Sequence, residues 1–344
     1  MIQIEIEILT NNCVLPFQTN PGLTFMKFNK LLATRSLAEH GIGFIITIRE
    51  VNENEKNDDS KREAESFKKT IIFDTGGPNL TFIHNFNIRG YQFHDIDSII
   101  LSHWHYDHVG GLHELLKQID KEIPIYCHEH AVFERFFKRS KEVKNKDLKG
   151  KTREELLPLL STFKIVNQEP LDLEKMAGLK GKVIFTKKPR TILKHDGIKV
   201  ILLGEIKRTH VEEKFSNFFS LQDGIMKRDI ILDDRSLFIE LHDKVILLLG
   251  CCHAGIMNTL DQVKQITSKP ITHVIGGFHM ATATEERMKK TNAYLQSLQD
   301  KDIPLYLFPI HCSGTNFLQK INELPSSRKI RAWNLSVGTK FIFG

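Results

Sequence analysis

Four side chains able to bind a metal ion, His103, His105, Asp107 and His108, fall within six positions of the stretch Ser98-Ile-Ile-Leu-Ser-His-Trp-His-Tyr-Asp-His-Val-Gly-Gly111. Imidazole nitrogen and carboxylate oxygen suit zinc, iron or manganese, and a cluster left open on one side suits catalysis better than structural closure. The apolar residues Ile99 to Leu101 are too few for a helix and read as the end of a buried strand. Gly110-Gly111 followed by Leu112-His-Glu-Leu-Leu116 reads as a helix start. The four ligands therefore sit on a strand-to-helix loop, where irregular backbone turns alternate side chains onto a common point.

The same device recurs further along. The apolar segment Val245 to Leu249 empties into Gly250-Cys-Cys-His-Ala-Gly255, which makes His253 the best candidate for a further ligand. Ile271-Thr-His-Val-Ile-Gly-Gly-Phe-His279 ends a strand at His279, and Ile303-Pro-Leu-Tyr-Leu-Phe-Pro-Ile-His311 ends another at His311. Histidine-bearing strand ends on one edge of a layered α/β fold describe a single site, because ligands and substrates gather there. His279 is assigned substrate contact or general acid work, for which an ordinary imidazole pKa of about 6.5 is suited; a supporting or core role is its alternative. Asp234, in Asp233-Asp-Arg-Ser, begins a strand facing the site as a supporting residue. Cys252 and Cys312 flank histidines and read as packing, since no base beside them in sequence marks either as activated.

The positioning elements follow from apolar spacing. Met1-Ile-Gln-Ile-Glu-Ile-Glu-Ile-Leu9 alternates as a half-buried strand does, and Gly41 to Ile48 gives a second strand. Asn52 to Lys69 is almost devoid of apolar residues and reads as a solvated insertion. Ile71-Ile-Phe-Asp-Thr-Gly-Gly-Pro78 ends a third strand in a sharp exit loop. Helices are expected over Glu114 to Ile119 and His130 to Arg139, with a strand, Ile123 to Tyr126, between them, so a parallel pair with a crossover is implied. Phe133, Phe136 and Phe137 read as helix core, and Lys138 to Arg153 as solvated surface. Strands are expected at Lys182 to Phe185, Ile198 to Leu203, Ile230 to Leu232, Leu237 to Leu241 and Val245 to Leu249, the last two joined by a hairpin turn at His242-Asp243. Asn258 to Ile266 and Thr284 to Leu298 carry helical spacing.

Composition narrows the class. An apolar content of 41% over 344 residues is that of a globular protein. The net charge of +6 is dispersed along the chain, favouring anionic small molecules without marking a nucleic-acid interface. Five scattered cysteines argue against a disulfide framework and for a reducing, cytoplasmic setting. The first residues lack the order of a signal peptide, and no apolar window is long enough to predict a membrane span.

Taken together, Phe73-Asp-Thr-Gly-Gly, Leu101-Ser-His-Trp-His-Tyr-Asp-His-Val-Gly-Gly, Leu249-Gly-Cys-Cys-His-Ala-Gly-Ile, Ile275-Gly-Gly-Phe-His-Met and Pro309-Ile-His-Cys-Ser-Gly resemble the metallo-β-lactamase fold superfamily. Within it they look like the branch of 7,8-dihydropterin-6-yl-methyl-4-(β-D-ribofuranosyl)aminobenzene 5′-phosphate synthase-like metal-dependent hydrolases. The resemblance spans about Gly41 to Gly338. It implies an αββα sandwich, two mixed sheets between outer helices, in a single domain over 1–344 with a charged insertion at 52–69 and a basic helical insertion at about 130–180.

The resemblance also implies one or two divalent cations, zinc first, with iron or manganese as alternatives. His103, His105 and His253 would hold the first, and Asp107, His108 and His311 the second. Asp74 would support the metal loop from beneath. Cys251 stands where superfamily members often carry an Asp or Cys ligand, in competition with His253. The isolated histidine usual between these motifs has no counterpart in matching context, although His195 and His210 lie in the interval. A hydrolase would use metal-generated hydroxide, which Asp107 could also orient; a synthase-like transferase would use the metals to bind a diphosphate leaving group. Both versions take an anionic, phosphorylated, pterin-like substrate. The alternatives are a phosphodiesterase or nuclease of the same superfamily, for which no nucleic-acid-gripping module is seen, and a non-catalytic binding protein, for which the ligand set is too complete.

Overall fold

A computed structural model describes residues 1–19, 21–51, 67–213, 218–298, 303–324 and 330–344. Most of the expected charged insertion thus lies outside the described residues, and its last two lysines open the strand Lys68–Phe73 instead.

Among the described residues, one sheet has eight strands in the order Met26–Phe28, Thr339–Phe343, Ile2–Thr10, Gly43–Glu50, Lys68–Phe73, Ile96–Ile100, Ile123–Cys127, Gly181–Phe185. Neighbours are antiparallel as far as Lys68–Phe73 and parallel from there on. A second sheet has seven, in the order Arg190–His195, Ile198–Leu202, Ser236–Glu240, Val245–Leu249, Ile271–Gly277, Leu305–Ile310, Ile330–Ala332. It too is antiparallel at first and parallel from Val245–Leu249 onward. Both sheets are mixed, and the hairpin at His242-Asp243 is present.

Strand alternation explains the layers. In Ile2–Thr10, Ile4, Ile6 and Ile8 enter the core between the sheets, where Val200, Leu202, Leu237 and Ile239 meet them. Val245–Leu249 is apolar throughout because it is covered on both faces: Ile246 and Leu248 face the first sheet, while Val245, Leu247 and Leu249 face helices. Ile256–Ile266, Glu285–Leu298 and Thr315–Asn322 cover the second sheet through Leu260, Val263, Met288, Leu295, Phe317 and Ile321. Thr81–Ile88, Leu112–Gln118 and Leu173–Gly178 cover the first through Phe82, Phe86, Leu115, Leu116 and Met176. The result is the expected αββα sandwich.

Within the segment at 130–180, which carries the helices Arg153–Ser161 and Leu173–Gly178, the helix expected over His130 to Arg139 does not form. Arg135–Lys138 is a strand, and with Ile165–Gln168, Phe218–Gln222 and Ile225–Asp229 it builds a separate four-stranded sheet. Phe133, Phe136 and Phe137 satisfy helical spacing and a short aromatic strand equally well, and the pairing partner Phe218–Ser220 decides for the strand. Phe136 enters the small core of this sheet, beneath the helix Arg153–Ser161. That helix is secured by a reciprocal cap, in which Thr152 Oγ1 accepts from Glu155 N while Glu155 Oε2 accepts from Thr152 N. The strand expected at Ile230 to Leu232 is a turn, since Asp229 Oδ1 accepts from Ile231 N at 2.7 Å and Ile231 takes φ +54°.

Candidate metal centre

The parallel strands of both sheets end on one rim. Lys68–Phe73 delivers Asp74 there, Ile96–Ile100 the loop from His103 to His108, Val245–Leu249 delivers Cys251 and His253, Ile271–Gly277 delivers His279, and Leu305–Ile310 delivers His311. Two glycines let these loops close on one another. A Cβ at Gly111 would lie 2.3 Å from the Thr75 carbonyl oxygen, and one at Gly250 would lie 2.2 Å from Ser102 Oγ.

Among the described residues the rim gathers three groups of possible ligands, with the candidate ligand atoms of each within 4.8 Å of one another: His103, His105 and His253 in a first, Asp107, His108, Cys251 and His311 in a second, and Cys251, His279 and Cys312 in a third that overlaps the second. Cys251 and His253 fall in different groups. Within the first, His103 Nε2 is 2.9 Å from His105 Nδ1. Within the second, His108 Nε2 is 3.0 Å from Cys251 Sγ, and His311 Nε2 is 3.2 Å from Asp107 Oδ2.

Outer partners set the tautomers, and these test the fit of a cation. Asp74 accepts from Ser102 Oγ and from His108 Nδ1, both at 2.7 Å, so the Ser102 hydroxyl must accept from His103 Nδ1 at 2.9 Å. Asn12 Oδ1 accepts from His311 Nδ1 at 2.9 Å. His103 and His311 thereby keep an Nε2 lone pair turned inward, toward another nitrogen or a carboxylate, while His108 Nε2 faces the Cys251 thiol. His311 Nε2, 3.2 Å from Asp107 Oδ2, is buried without a hydrogen-bond partner. Converging lone pairs and an orphaned buried nitrogen are what a divalent cation satisfies. His103, His105 and His253 would hold one ion; Asp107, His108, Cys251 and His311 would hold another.

Charge follows the same division. Burial pushes His103 and His253 well below the ordinary imidazole range, and burial followed by the nearby Arg135 brings His105 down to about 3. Neutral imidazole is the ligand form. In the second group burial opposes both charges, but Asp107 and Asp74 lift His108 to about 9, while His108, His311 and His40 hold Asp107 well below the carboxylate range. Burial and the neighbouring Cys312 push the Cys251 thiol up.

His279, with its ring 4.4 Å from that of His253, lies beside Cys251 and Cys312 at the edge of both groups. Asp234 supports the centre from behind: it is buried and its Oδ2 accepts from Ala254 N at 2.7 Å, next to His253. His195 instead pairs with Glu50, and His210 with Asp261, so neither joins the site.

Several contributors are not apparent in the sequence. Asn12 and Ser102 orient ligand histidines, and His40 Nε2 reaches Asp107 Oδ2 at 3.3 Å. Asp233 Oδ2 accepts from Trp104 N at 2.8 Å while its other oxygen meets the buried Arg135 at 2.7 Å, which joins the small sheet to the metal loop. That sheet also lays Phe137 and Phe218 against His105, with ring centroids 5.4 and 5.1 Å away. The adjacency of Asn11-Asn12 to the end of the first strand is a signal that could have pointed to Asn12.

Residues 65–196 match the model of the metallo-beta-lactamase superfamily. The chain is 29% identical to the 7,8-dihydropterin-6-methyl-4-(beta-D-ribofuranosyl)-aminobenzene-5'-phosphate synthase of Methanocaldococcus jannaschii, over 80% of this chain and 82% of that protein. It is 25% identical to an uncharacterized protein of the same organism, over 74% and 84% of the two chains. Its fold is shared with Tm1679, a metal-dependent hydrolase of the beta-lactamase superfamily, with a TM-score of 0.66, 18% identity and 98% of each chain covered. A metallo-beta-lactamase superfamily domain is thus matched over residues 65–196, and the fold of the chain is that of Tm1679.

Proposed function

We propose that this protein is a metal-dependent hydrolase, or a related transferase, acting on a phosphorylated, pterin-like small molecule. The observation that carries the reading is the pair of adjacent ligand groups, built from the strand ends of both sheets around the buried carboxylate of Asp107. The name of the Methanocaldococcus jannaschii relative, a dihydropterin aminobenzene phosphate synthase, supports the substrate class.

Divalent cations held in these groups would supply water activated near neutral pH and neutralisation of an anionic substrate oxygen; zinc suits the nitrogen and sulfur donors, with iron or manganese as alternatives. The chain's own residues do the rest. Asp74, Ser102 and Asn12 fix the imidazoles, so little reorganisation is needed when an anion arrives. Phe137 and Phe218 shield the His105 side from water. Asp107 both binds and orients, and His279, at the edge of the two groups, contacts the substrate or carries a proton to its leaving group. In a transferase that group would be a diphosphate leaving the pterin methylene.

The test is elemental analysis of purified protein, followed by assay of zinc-, iron- and manganese-loaded samples. Phosphomonoester, phosphodiester and lactone substrates would be compared with a dihydropterin methyl diphosphate plus an arylamine. Turnover of a phosphorylated substrate that disappears in His311→Ala is expected. Absence of bound metal and of turnover in every sample would refute the reading.

A further inference from the structure

Three neighbouring parallel strands of the second sheet, Val245–Leu249, Ile271–Gly277 and Leu305–Ile310, end side by side, with Leu249 opposite Gly276 and Gly276 opposite Pro309. Two residues past each end stands a metal-binding side chain: Cys251, His279 and Cys312. Their two sulfurs and one imidazole nitrogen lie within 4.8 Å of one another. Among the described residues Cys251 also belongs to the second ligand group, whereas His279 and Cys312 belong to this one alone.

The loops are built to bring these donors together. Gly277 leaves the space in which they meet, since a Cβ there would lie 2.7 Å from Cys312 Sγ and 3.1 Å from the Cα of Cys251. Cys312 Sγ donates to Cys251 O at 3.5 Å. Phe278 N donates to Ser313 Oγ at 3.0 Å and Ala281 N to Cys312 O at 3.2 Å, so the loops of His279 and Cys312 are tied together on both sides of His279. His279 takes φ +47° and His311, next to Cys312, takes φ +56°. Such left-handed backbone is uncommon for residues other than glycine and gathers where loops hold ligands.

Nitrogen and sulfur ligands held about 2.0–2.3 Å from a tetrahedral ion stand about 3.4–3.8 Å from one another. The three donors therefore need to close by at most about 1.4 Å, a change that small side-chain rotations supply. Their chemistry differs from that of the second group. Two sulfurs and an imidazole favour soft ions, whereas the carboxylate of Asp107 with the imidazoles of His108 and His311 favours harder ones.

We propose that Cys251, His279 and Cys312 form a separate position for a thiophilic cation, of the class of cadmium or copper(I), and that filling it draws Cys251 out of the second group. Each thiol gives its proton to solvent as its sulfur binds. Harder cations stay with Asp107, His108 and His311 and leave His279 to the substrate. A thiophilic ion instead takes Cys251 and His279 together, so the rim sorts cations by softness and a soft one holds it inactive. The position itself is independent of the proposed reaction; only the inactivation rests on that reading.

Cadmium titration of the reduced, metal-depleted full chain tests this, read by the ultraviolet charge-transfer absorption of cadmium–thiolate bonds, with manganese(II) titrated alongside. Wild type should show two thiolates on one cadmium ion. Cys312→Ser should show about half that absorption and bind cadmium about tenfold or more weakly, with manganese affinity unchanged. His279→Ala should weaken cadmium binding while keeping the full thiolate absorption. Unchanged cadmium absorption and affinity in Cys312→Ser would overturn the proposal. Equal weakening of cadmium and manganese in that variant would overturn it too, as the sign of a disturbed loop and not of a lost ligand. Two cadmium–thiolate bonds in a wild-type protein that takes up no manganese would uphold this position and refute the cation assigned to Asp107, His108 and His311.

Discussion

Nδ1 of His108 stands 2.7 Å from Oδ2 of Asp74, and neither side chain has any exposure. The same carboxylate accepts from Ser102 N and Ser102 Oγ, so one residue at the end of Lys68–Phe73 governs the loop that follows Ile96–Ile100. Asp74 is thus the point from which two candidate ligand imidazoles, His108 directly and His103 through Ser102, receive their orientation.

Asp74→Asn keeps the volume but puts an amide where three donors converge. Cation affinity of the second group should fall about 10- to 100-fold. The metal-depleted protein should lose on the order of 1–3 kcal/mol of stability, because buried donors are left without an acceptor. Chelator competition and urea denaturation measure the two effects; unchanged values in both would remove Asp74 from this role.

The two ligand groups should differ in proton release. At pH 7.5 His103, His105 and His253 are already neutral, so a cation entering among them displaces no proton. His108, lifted to about 9, and the raised Cys251 thiol still carry protons at that pH. A cation bound there releases about one to two protons, and its affinity falls as pH drops. Zinc calorimetry in buffers of different ionisation enthalpy should resolve one proton-silent and one proton-coupled binding event. Equal release from both would contradict this assignment of protonation.

Metal-depleted protein should be acid-labile through the first group. His105 has its folded pKa near 3, against about 6.5 when unfolded, so on acidification the unfolded chain takes up its proton first. Stability therefore begins to fall below about pH 6.5 and continues to fall toward about pH 3, with His103 and His253 acting in the same direction. His108 acts oppositely: its contribution is full below about pH 6.5 and lost as pH rises through about 9. His105→Gln should flatten the decline in melting temperature between pH 6.5 and 4.5, and an unaltered slope would show that His105 does not drive it.

The strand-end placement of the candidate residues is legible in the sequence where chemistry is concentrated in short stretches. His103 to His108, and the strand ends at Cys251, His253, His279 and His311, pair rare ligand types with an apolar run and a glycine, so element and ligand identify each other. Placement is not legible where a contributor is a single residue set by tertiary contact. Asn12 meets His311 across 299 residues, and nothing local to His40 shows that it will lie on Asp107. The small sheet was hidden for a related reason: Arg135–Lys138 becomes a strand through its pairing with Phe218–Gln222, far along the chain. At Ile231 the apolar pattern favoured a strand, but the side chain of Asp229 bends the backbone locally.

The small sheet should be energetically tied to the metal loop through Arg135. Its guanidinium is buried, 2.7 Å from Asp233 and 3.5 Å from Asp229, and Asp233 in turn receives the backbone N–H of Trp104 between the ligands His103 and His105. Burial opposes the charge of Asp233, but Arg135 holds its carboxyl down at about 2. Arg135→Met fills the space and leaves that carboxylate buried without its cation, a change that costs about 3–5 kcal/mol when a buried pair is broken one-sidedly. With the pair broken, Asp233 should take up a proton nearer neutral pH, so the loss should shrink as pH is lowered below the folded pKa of the variant. Urea denaturation of wild type and Arg135→Met across pH 5 to 8 reads this directly, and a loss below 1 kcal/mol at every pH would show that the small sheet stands independently of the loop.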